Sequence, residues 1–161
     1  MGKERRTSQL TGVSGVHFVA SRLSFEGFHA VPTTRNVQGP DLLVSNLSGS
    51  SSICLQVKTT EWAMRTRGRG DEKKPDHYEW DINWSSAKVN HPQLFFALVD
   101  LKGFSDQLPD VFIVPSEVIY EYFKGGDPAK WPRARYHPPI DKLDPYKNNF
   151  DPLKSALQDK G

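Results

Sequence analysis

The sequence predicts a single α/β domain, and three observations support this fold class. Apolar residues recur at helical spacing between Val13 and Leu23. Short apolar segments separated by turn residues follow, which is typical of strands. The 161 residues, 37% of them hydrophobic, are enough for the core of one ordinary domain. We predict a flexible arm over residues 1–11 and a single domain over residues 12–161, with a tail from about residue 125 wrapped over the body.

Composition and charge limit the function classes. The 21 Lys and Arg residues nearly balance the 19 Asp and Glu residues, so only a local cluster of charge would indicate a nucleic-acid partner. A single cysteine cannot close a disulfide within the chain. No apolar run approaches the roughly 20 residues of a membrane helix, and no apolar signal region follows the polar start. We therefore expect a cytoplasmic protein without a membrane partner.

The first predicted elements are one helix and two short strands. The helix is expected to begin near Val13, with Ser14 as its cap, and to end at Gly27, because glycine commonly terminates helices. The apolar residues 28–31 predict a strand that Pro32 ends. After a tract rich in turn residues, residues 42–44 are expected to open a second strand that ends at Asn46.

The third strand, residues 53–60, follows a run of small polar residues that predicts a hairpin loop. Side chains of a strand point alternately to its two faces. One face therefore carries the apolar residues Ile53, Leu55 and Val57, and the other carries Cys54, Gln56 and Lys58. We assign no chemistry to Cys54, because a lone strand cysteine usually behaves as a small hydrophobic residue.

The next segments alternate between polar and apolar composition. Residues 61–77 are basic and contain glycine, which predicts an exposed, mobile loop. Residues 78–84 alternate aromatic and polar side chains, as a half-buried antiparallel strand would. Residues 94–101 form the most apolar segment, and we predict a central strand there.

The last predicted elements are a strand, a helix and a short terminal helix. The strand covers residues 111–114, and the helix begins at Pro115 and ends before Gly125. A final short helix is expected over residues 152–157, within a tail rich in Pro, Asp and Tyr.

Three polar residues on neighbouring strands form a candidate site. Asp41 starts one strand, while Gln56 and Lys58 share a face of the next, about 4.8 Å away if the two strands pair. The Asp41 carboxylate and the Gln56 amide oxygen are ligands suited to Mg²⁺. Lys58 would hold an attacking water or stabilise charge on a phosphate. These groups suit the hydrolysis of a phosphodiester bond.

His17 lies beside the apolar stripe of the first helix. It would bind a phosphate, ligate a metal or shuttle a proton if it reached the candidate site. A histidine in this position is equally typical of the edge of a hydrophobic core or of an ordinary surface.

The segments Gly39-Pro40-Asp41 and Leu55-Gln56-Val57-Lys58, which follow a helix and a strand, resemble the motif of the PD-(D/E)XK nuclease superfamily. This superfamily includes restriction enzymes, Holliday-junction resolvases and some homing endonucleases, and the glutamine variant is similar to Mrr-like restriction endonucleases. The resemblance implies a restriction endonuclease-like core, with a mixed sheet of about five strands flanked by helices. It also implies DNA cleavage that depends on Mg²⁺ or Mn²⁺.

The resemblance also assigns roles to four residues. Asp41 takes the position of the metal-binding acid, Gln56 that of the second acid and metal ligand, and Lys58 that of the catalytic lysine. His17 stands where the superfamily often has a glutamate on the first helix. Many members of the superfamily cut DNA as dimers, so the resemblance suggests a homodimer as well.

Cationic residues around the candidate strand predict a DNA-binding surface. They would neutralise phosphates, and a nearby tryptophan would stack on a base. The predicted nucleic-acid-binding residues are Arg35, Trp62, Arg65, Arg67, Arg69, Lys73 and Lys74. The alternatives are a solvated charged loop, a tryptophan that packs on the body of the domain, and a capped turn around Arg35.

Three hypotheses follow from the sequence. The first is a metal-dependent endonuclease that hydrolyses DNA phosphodiester bonds. The second is a catalytically degenerate module of the same fold that binds nucleic acid or a protein partner. The third is another small α/β protein in which the motif is accidental, and a wide separation of Asp41 from Lys58 would favour it.

Overall fold

The computed structural model describes residues 7–34 and 39–158. The helices in these ranges are α1 (Ser8–Phe25), α2 (Trp84–Ala87), α3 (Ser116–Phe123), α4 (Ile140–Leu143) and α5 (Asp151–Ala156). The strands are β1 (His29–Pro32), β2 (Leu42–Ser45), β3 (Ser52–Thr60), β4 (Met64–Arg67), β5 (Lys74–Tyr78), β6 (Trp80–Asp81), β7 (Leu94–Asp100), β8 (Asp110–Pro115) and β9 (Arg135–Tyr136).

A five-stranded mixed sheet forms the centre of the domain, in the order β1-β2-β3-β7-β8. β3 and β7 are parallel, and the other neighbours are antiparallel. β7 is interior to the sheet because its apolar residues are buried on both faces. Helices flank the sheet, which confirms the predicted α/β fold class.

One face of the sheet is covered by α1. Val19 and Leu23 of this helix belong to a buried cluster with Leu55 and Val57 of β3. Because side chains alternate along a strand, Gln56 and Lys58 lie on the face opposite α1. The helix that carries His17 is therefore on the other side of the sheet from these two residues.

A second hydrophobic cluster covers the opposite face. It contains Phe96 and Leu98 of β7, which are in register with Gln56 and Lys58, together with Trp80 and Ile119. Gln56 and Lys58 are only partly buried, whereas Phe96 and Leu98 are fully buried. The polar pair thus lies at the border of this cluster.

α1 begins earlier than the hydrophobic spacing predicts. Thr7 caps the helix by accepting a hydrogen bond from the Leu10 backbone N–H at 3.3 Å. The predicted cap, Ser14, instead lies inside the helix and donates to the Leu10 carbonyl at 2.6 Å. Residues 8–11 therefore belong to the helix and not to an arm, while residues 1–6 lie outside the described ranges. The predicted end at Gly27, with φ 92°, is correct.

The segment predicted as a mobile loop is a β-hairpin. β4 and β5 pair antiparallel, and Gly68 and Gly70 adopt positive φ in the connection between them. Glycine therefore marks the turn of a hairpin here, because it enters this region of φ without a steric cost. The prediction was wrong because the charged residues of the two strands resemble a solvated loop in composition.

The strand predicted over residues 78–84 is interrupted. Tyr78 is the last residue of β5, Glu79 lies outside any strand, and Trp80 and Asp81 form β6, which pairs with β9. Asn83 adopts φ 60°, and its side chain caps α2 by accepting from the Ser86 N–H at 2.9 Å. The buried alternation of Tyr78, Trp80 and Ile82 is nevertheless present.

The tail packs on both faces of the sheet. Tyr136 and Leu143 join the second cluster, whereas Phe150 and Leu153 join the cluster beneath α1. α5 is the predicted terminal helix. Within the described ranges, none of the helices combines the length and the apolar composition that crossing a bilayer requires.

Candidate active site

Backbone hydrogen bonds on both sides hold Asp41 in place. Its N–H donates to the Leu55 carbonyl at 2.9 Å, and its carbonyl accepts from the Thr33 N–H at 2.9 Å. Its side-chain Oδ2 accepts two further bonds of 2.7 Å, from the Val57 N–H and from Gln56 Nε2. The carboxylate is thus directed at β3 before any ligand binds.

The partnership with Asp41 sets the orientation of the Gln56 amide. A carboxylate only accepts hydrogen bonds, so the NH₂ group of Gln56 must face Asp41. Among the described residues, none donates a hydrogen bond to the Gln56 carbonyl oxygen. That oxygen remains suited to a cation or a water molecule.

Lys58 lies on the same face of β3 as Gln56 and lines the same cavity. This space of about 600 Å³, the Lys58 cavity, is bounded by Asp41, Gln56 and Lys58 on the sheet and by Asn83 and Ser86 at the start of α2. Burial lowers the pKa of Lys58, while the negative charges of Asp41 and Asp81 act in the opposite direction. The structure therefore brings the three predicted residues together.

Asp81 is a component of this electrostatic environment that sequence analysis missed. It belongs to β6, and its Oδ1 accepts a hydrogen bond from the Asn83 N–H at 3.2 Å. Its charge raises the pKa of Lys58, although burial outweighs that effect. The sequence carries only a weak signal for Asp81 as a site residue, which is the alternation of Asp81 and Asn83 with the buried Trp80 and Ile82.

His17 does not line the Lys58 cavity. Its side chain is exposed on α1 and lines a neighbouring space of about 650 Å³, the His17 cavity, together with Asp41, Thr33 and Thr34. The reason is the placement of α1 on the opposite face of the sheet. Asp41 is the residue that borders both cavities.

The donor set at Asp41 and Gln56 fits a hydrated Mg²⁺ ion. Within the described part of the chain, no group of three or more His, Cys, Asp or Glu residues could hold a metal. Mg²⁺ usually keeps several waters and takes one or two carboxylates plus substrate phosphates. One carboxylate and one amide oxygen suit an ion whose coordination a phosphate and water complete.

The predicted basic residues divide into two groups on the β4–β5 hairpin, which we call the basic hairpin. Arg65 Nη2 lies 3.2 Å from Glu79 Oε1 and forms an ion pair with it. Arg67 Nε lies 3.7 Å from Asp76 Oδ1. The other cations are exposed, and none of them pairs with a carboxylate in residues 7–34 or 39–158; they are Arg69, Lys73 and Lys74. The predicted Arg35 lies outside the described residues.

Trp62 packs on the body of the domain and also remains partly open. A Cβ atom at Gly103 would collide with its indole ring, so the ring lies directly on the Gly103 backbone, where φ is 65°. The side chain is still 53% exposed. One alternative from the sequence, packing on the body, is therefore realised, and the open part of the ring keeps stacking available.

No family model matches the sequence, and no curated protein is similar to it in sequence. Among solved structures, the chain is similar to that of the bacterial homing endonuclease I-Ssp6803I, with a TM-score of 0.58 and 12% sequence identity. The similarity covers 94% of this chain and 95% of that chain. The chain therefore shares the fold of that endonuclease over almost its whole length.

Proposed function

We propose that the protein is a metal-dependent endonuclease that hydrolyses DNA phosphodiester bonds, as a member of the PD-(D/E)XK superfamily. The observation that carries this proposal is the convergence of Asp41, Gln56 and Lys58 on one cavity. It is supported by the similarity of the whole chain to a homing endonuclease. A small accidental motif would not be expected to combine these three groups with such a fold.

Asp41 and Gln56 would hold Mg²⁺ or Mn²⁺ through a carboxylate and an amide oxygen. When bound, such an ion supplies Lewis-acid polarisation of a phosphate and lowers the pKa of a coordinated water. The hydrogen bonds from Gln56 Nε2 and the Val57 N–H hold the Asp41 carboxylate toward β3.

Lys58 would act on the attacking water or on the phosphate. Its Nζ group donates a hydrogen bond that orients the water or stabilises negative charge on a phosphoryl oxygen. In the reaction the water oxygen forms a bond to phosphorus and the bond from phosphorus to the leaving oxygen breaks, while the water passes a proton to solvent and the leaving oxygen takes up a proton from solvent. Partial burial strengthens the electrostatic effect of Lys58, because less solvent screens it.

DNA would contact the surface on either side of this centre. The unpaired cations of the basic hairpin would neutralise phosphates, and the open face of Trp62 would stack on a base. His17 would bind a phosphate from the His17 cavity, since Asp41 connects that cavity to the Lys58 cavity.

The test is cleavage of supercoiled plasmid and branched DNA in Mg²⁺ or Mn²⁺. We expect cleavage by the wild type, none in EDTA, and loss of cleavage in Asp41→Asn and Lys58→Ala. The controls are Asp106→Asn and Lys142→Ala, which remove matching charges from exposed positions away from the cavity. Cleavage that survives in either site variant would overturn the proposed assignment of roles.

A second candidate function is a non-catalytic module of the same fold that binds nucleic acid or a protein partner. The neutral Gln56 amide, which satisfies Asp41 without a cation, favours it. This candidate predicts salt-sensitive DNA binding by the wild type without cleavage in any divalent cation. Retention of duplex binding in Asp41→Asn together with inactive wild type would support it over the nuclease.

A further inference from the structure

A cavity on the opposite side of α2 from the Lys58 cavity is lined by aromatic residues. It has a volume of about 640 Å³, and its walls include Trp84, Tyr122, Phe123 and Trp131. This volume lies within the roughly 300–1,000 Å³ typical of ligand pockets. We call it the aromatic cavity, and neither the motif nor the proposed catalytic mechanism uses it.

Hydrogen bonds and ring contacts hold the aromatic walls in place. Trp84 Nε1 donates to the Trp131 carbonyl at 2.7 Å, and Tyr122 Oη accepts from the His137 N–H at 3.2 Å. Trp84 and Phe123 meet edge to face, with ring centroids 5.6 Å apart. The walls are therefore ordered before a ligand arrives, which lowers the entropic cost of binding.

Large parts of these rings are nevertheless open to solvent. Trp131 is 51% exposed and Tyr122 is 46% exposed. Exposed aromatic rings that face one cavity are suited to stacking on a planar ligand.

Positive charge at the same cavity selects for an anionic ligand. Arg133 and Arg135 also line it, and both side chains are exposed. Arg135 Nη1 lies 4.0 Å from Glu79 Oε1, whereas no carboxylate in the described part of the chain pairs with Arg133. Arg133 is therefore available for a phosphate, which its planar guanidinium group matches in geometry.

The position of α2 connects this cavity to the proposed catalytic centre. Asn83, Ser85 and Ser86 line the Lys58 cavity, whereas Trp84 lines the aromatic cavity. The two cavities are thus separated by one short helix, whose diameter with side chains is about 10 Å. A nucleic acid strand at one cavity would pass close to the other.

The geometry points to the aromatic cavity as a binding site for an unstacked nucleobase of a DNA strand, with the neighbouring phosphate held by Arg133. Aromatic walls, positive charge and proximity to the Lys58 cavity together favour a nucleotide over an uncharged ligand or over a peptide without acidic residues. This inference rests on the proposed function, because it assumes that DNA is the substrate.

The experiment measures binding of two single-stranded probes by intrinsic tryptophan fluorescence and by anisotropy in EDTA, where no cleavage occurs. One probe is an oligothymidine of about 8 nucleotides, and the other is an abasic strand of equal length. Both probes carry the same phosphates, so their difference in affinity isolates base stacking. The wild type is expected to prefer the oligothymidine.

Trp131→Ala is expected to weaken oligothymidine binding by roughly 5- to 150-fold and to leave the abasic strand nearly unaffected. Trp131→Phe should retain much of the preference, since it keeps a ring for stacking. Arg133→Gln should lower the affinity for both probes and reduce the salt dependence of binding. The controls are Phe25→Ala, an exposed aromatic residue on α1, and Lys142→Gln, an exposed cation on α4.

The outcomes separate this inference from the proposed function. Equal affinity of wild type for both probes, or an unchanged preference in a folded Trp131→Ala variant, would overturn the inference even if duplex DNA is cleaved. Binding of no DNA in any form would overturn the inference and the proposed function together.

Discussion

Gln56 Nε2 donates a 2.7 Å hydrogen bond to Asp41 Oδ2 at the centre of the candidate active site. Two carboxylates at this separation would repel, and one of them would have to take up a proton or a cation. An amide and a carboxylate instead form a stable pair by themselves. This hydrogen bond therefore holds the two side chains together without a metal ion. The site has one negative ligand fewer than a site with two carboxylates would have.

Gln56→Glu is expected to make folding dependent on a divalent cation. The substitution replaces a donor by a second negative charge beside Asp41, so the free energy of unfolding in EDTA should fall by about 1–3 kcal/mol. Mg²⁺ should restore it, because an ion that binds only the folded state stabilises that state. Urea unfolding with and without Mg²⁺ measures this, with the exposed Gln107→Glu as control. Equal stability in the two buffers would contradict the expectation.

Lys58→Met should lower the cleavage activity and raise the stability of the fold. Cleavage should fall by about 10²–10³-fold, since a group that stabilises charge is lost. The free energy of unfolding at neutral pH should rise, because burial lowers the pKa of Lys58 and so disfavours its charged form.

The pH dependence of this stability difference follows from the sign of the shift. The folded-state pKa of Lys58 lies below the ordinary value of 10.5, so its protonated form costs stability at every pH below the folded-state pKa. That cost disappears as the pH rises from the folded-state pKa to 10.5. The advantage of Lys58→Met should narrow over the same window, and Lys142→Met, at an exposed position, is the control variant. A less stable Lys58→Met variant at neutral pH would contradict the argument.

Two glycines of α1 should respond in opposite directions to alanine. A Cβ atom at Gly15 would collide with Thr59, whereas the space around Gly12 is open. Gly15→Ala should lower the free energy of unfolding by about 1–3 kcal/mol through overpacking. Gly12→Ala should raise the free energy of unfolding by about 0.5–1 kcal/mol, because alanine lowers the conformational entropy of the unfolded chain.

A double variant tests the cause of the Gly15 effect. Thr59 Oγ1 is buried without a hydrogen-bond partner among the described residues, so Thr59→Ala removes an unsatisfied group together with two of the three close atoms, Oγ1 and Cγ2, and leaves Cβ at 2.8 Å. Urea unfolding of Gly15→Ala combined with Thr59→Ala should show recovery of part of the lost stability. Additive losses in the double variant would refute the proposed contact between α1 and β3.

His17→Ala should affect DNA binding more than the rate of cleavage. The His17 cavity touches Asp41 but not Lys58, so a phosphate contact fits its position better than proton transfer. We expect KM to rise by less than about tenfold with kcat nearly unchanged, whereas loss of a general acid or base would lower kcat by about 10²–10⁴-fold. His29→Ala, on β1, is the control. A large fall in kcat would instead place His17 in the chemistry.

The unpaired cations of the basic hairpin should set the salt dependence of DNA binding. Each phosphate contact contributes about 0.9 to the slope of log affinity against log salt concentration. Replacing Arg69, Lys73 and Lys74 together by Gln should therefore reduce the slope by up to about 2.7. Arg67→Gln should change it less, because Asp76 already lies beside Arg67. An unchanged slope in the triple variant would exclude this surface from DNA binding.

Local patterns predicted much of the fold and the core of the candidate site. The strand alternation around Leu55 and Gln56 was read correctly, and the short hairpin to the preceding strand placed Asp41 beside Gln56. Both depend on residues close in the sequence, so few other arrangements were available. The prediction at Ser14 was wrong because Thr7 caps the helix earlier, before the apolar spacing begins. The prediction for residues 61–77 was wrong because two segments with the composition of a loop pair as strands.

The sequence by itself determined which side chains share a face of each strand, because that periodicity is a property of the extended backbone. It thereby placed Gln56 and Lys58 together and separated them from Leu55 and Val57. Only the tertiary structure decided that α1 covers the apolar face and so carries His17 away from Lys58. It also decided that Asp81 acts on Lys58, since contacts between distant segments depend on packing and not on local spacing.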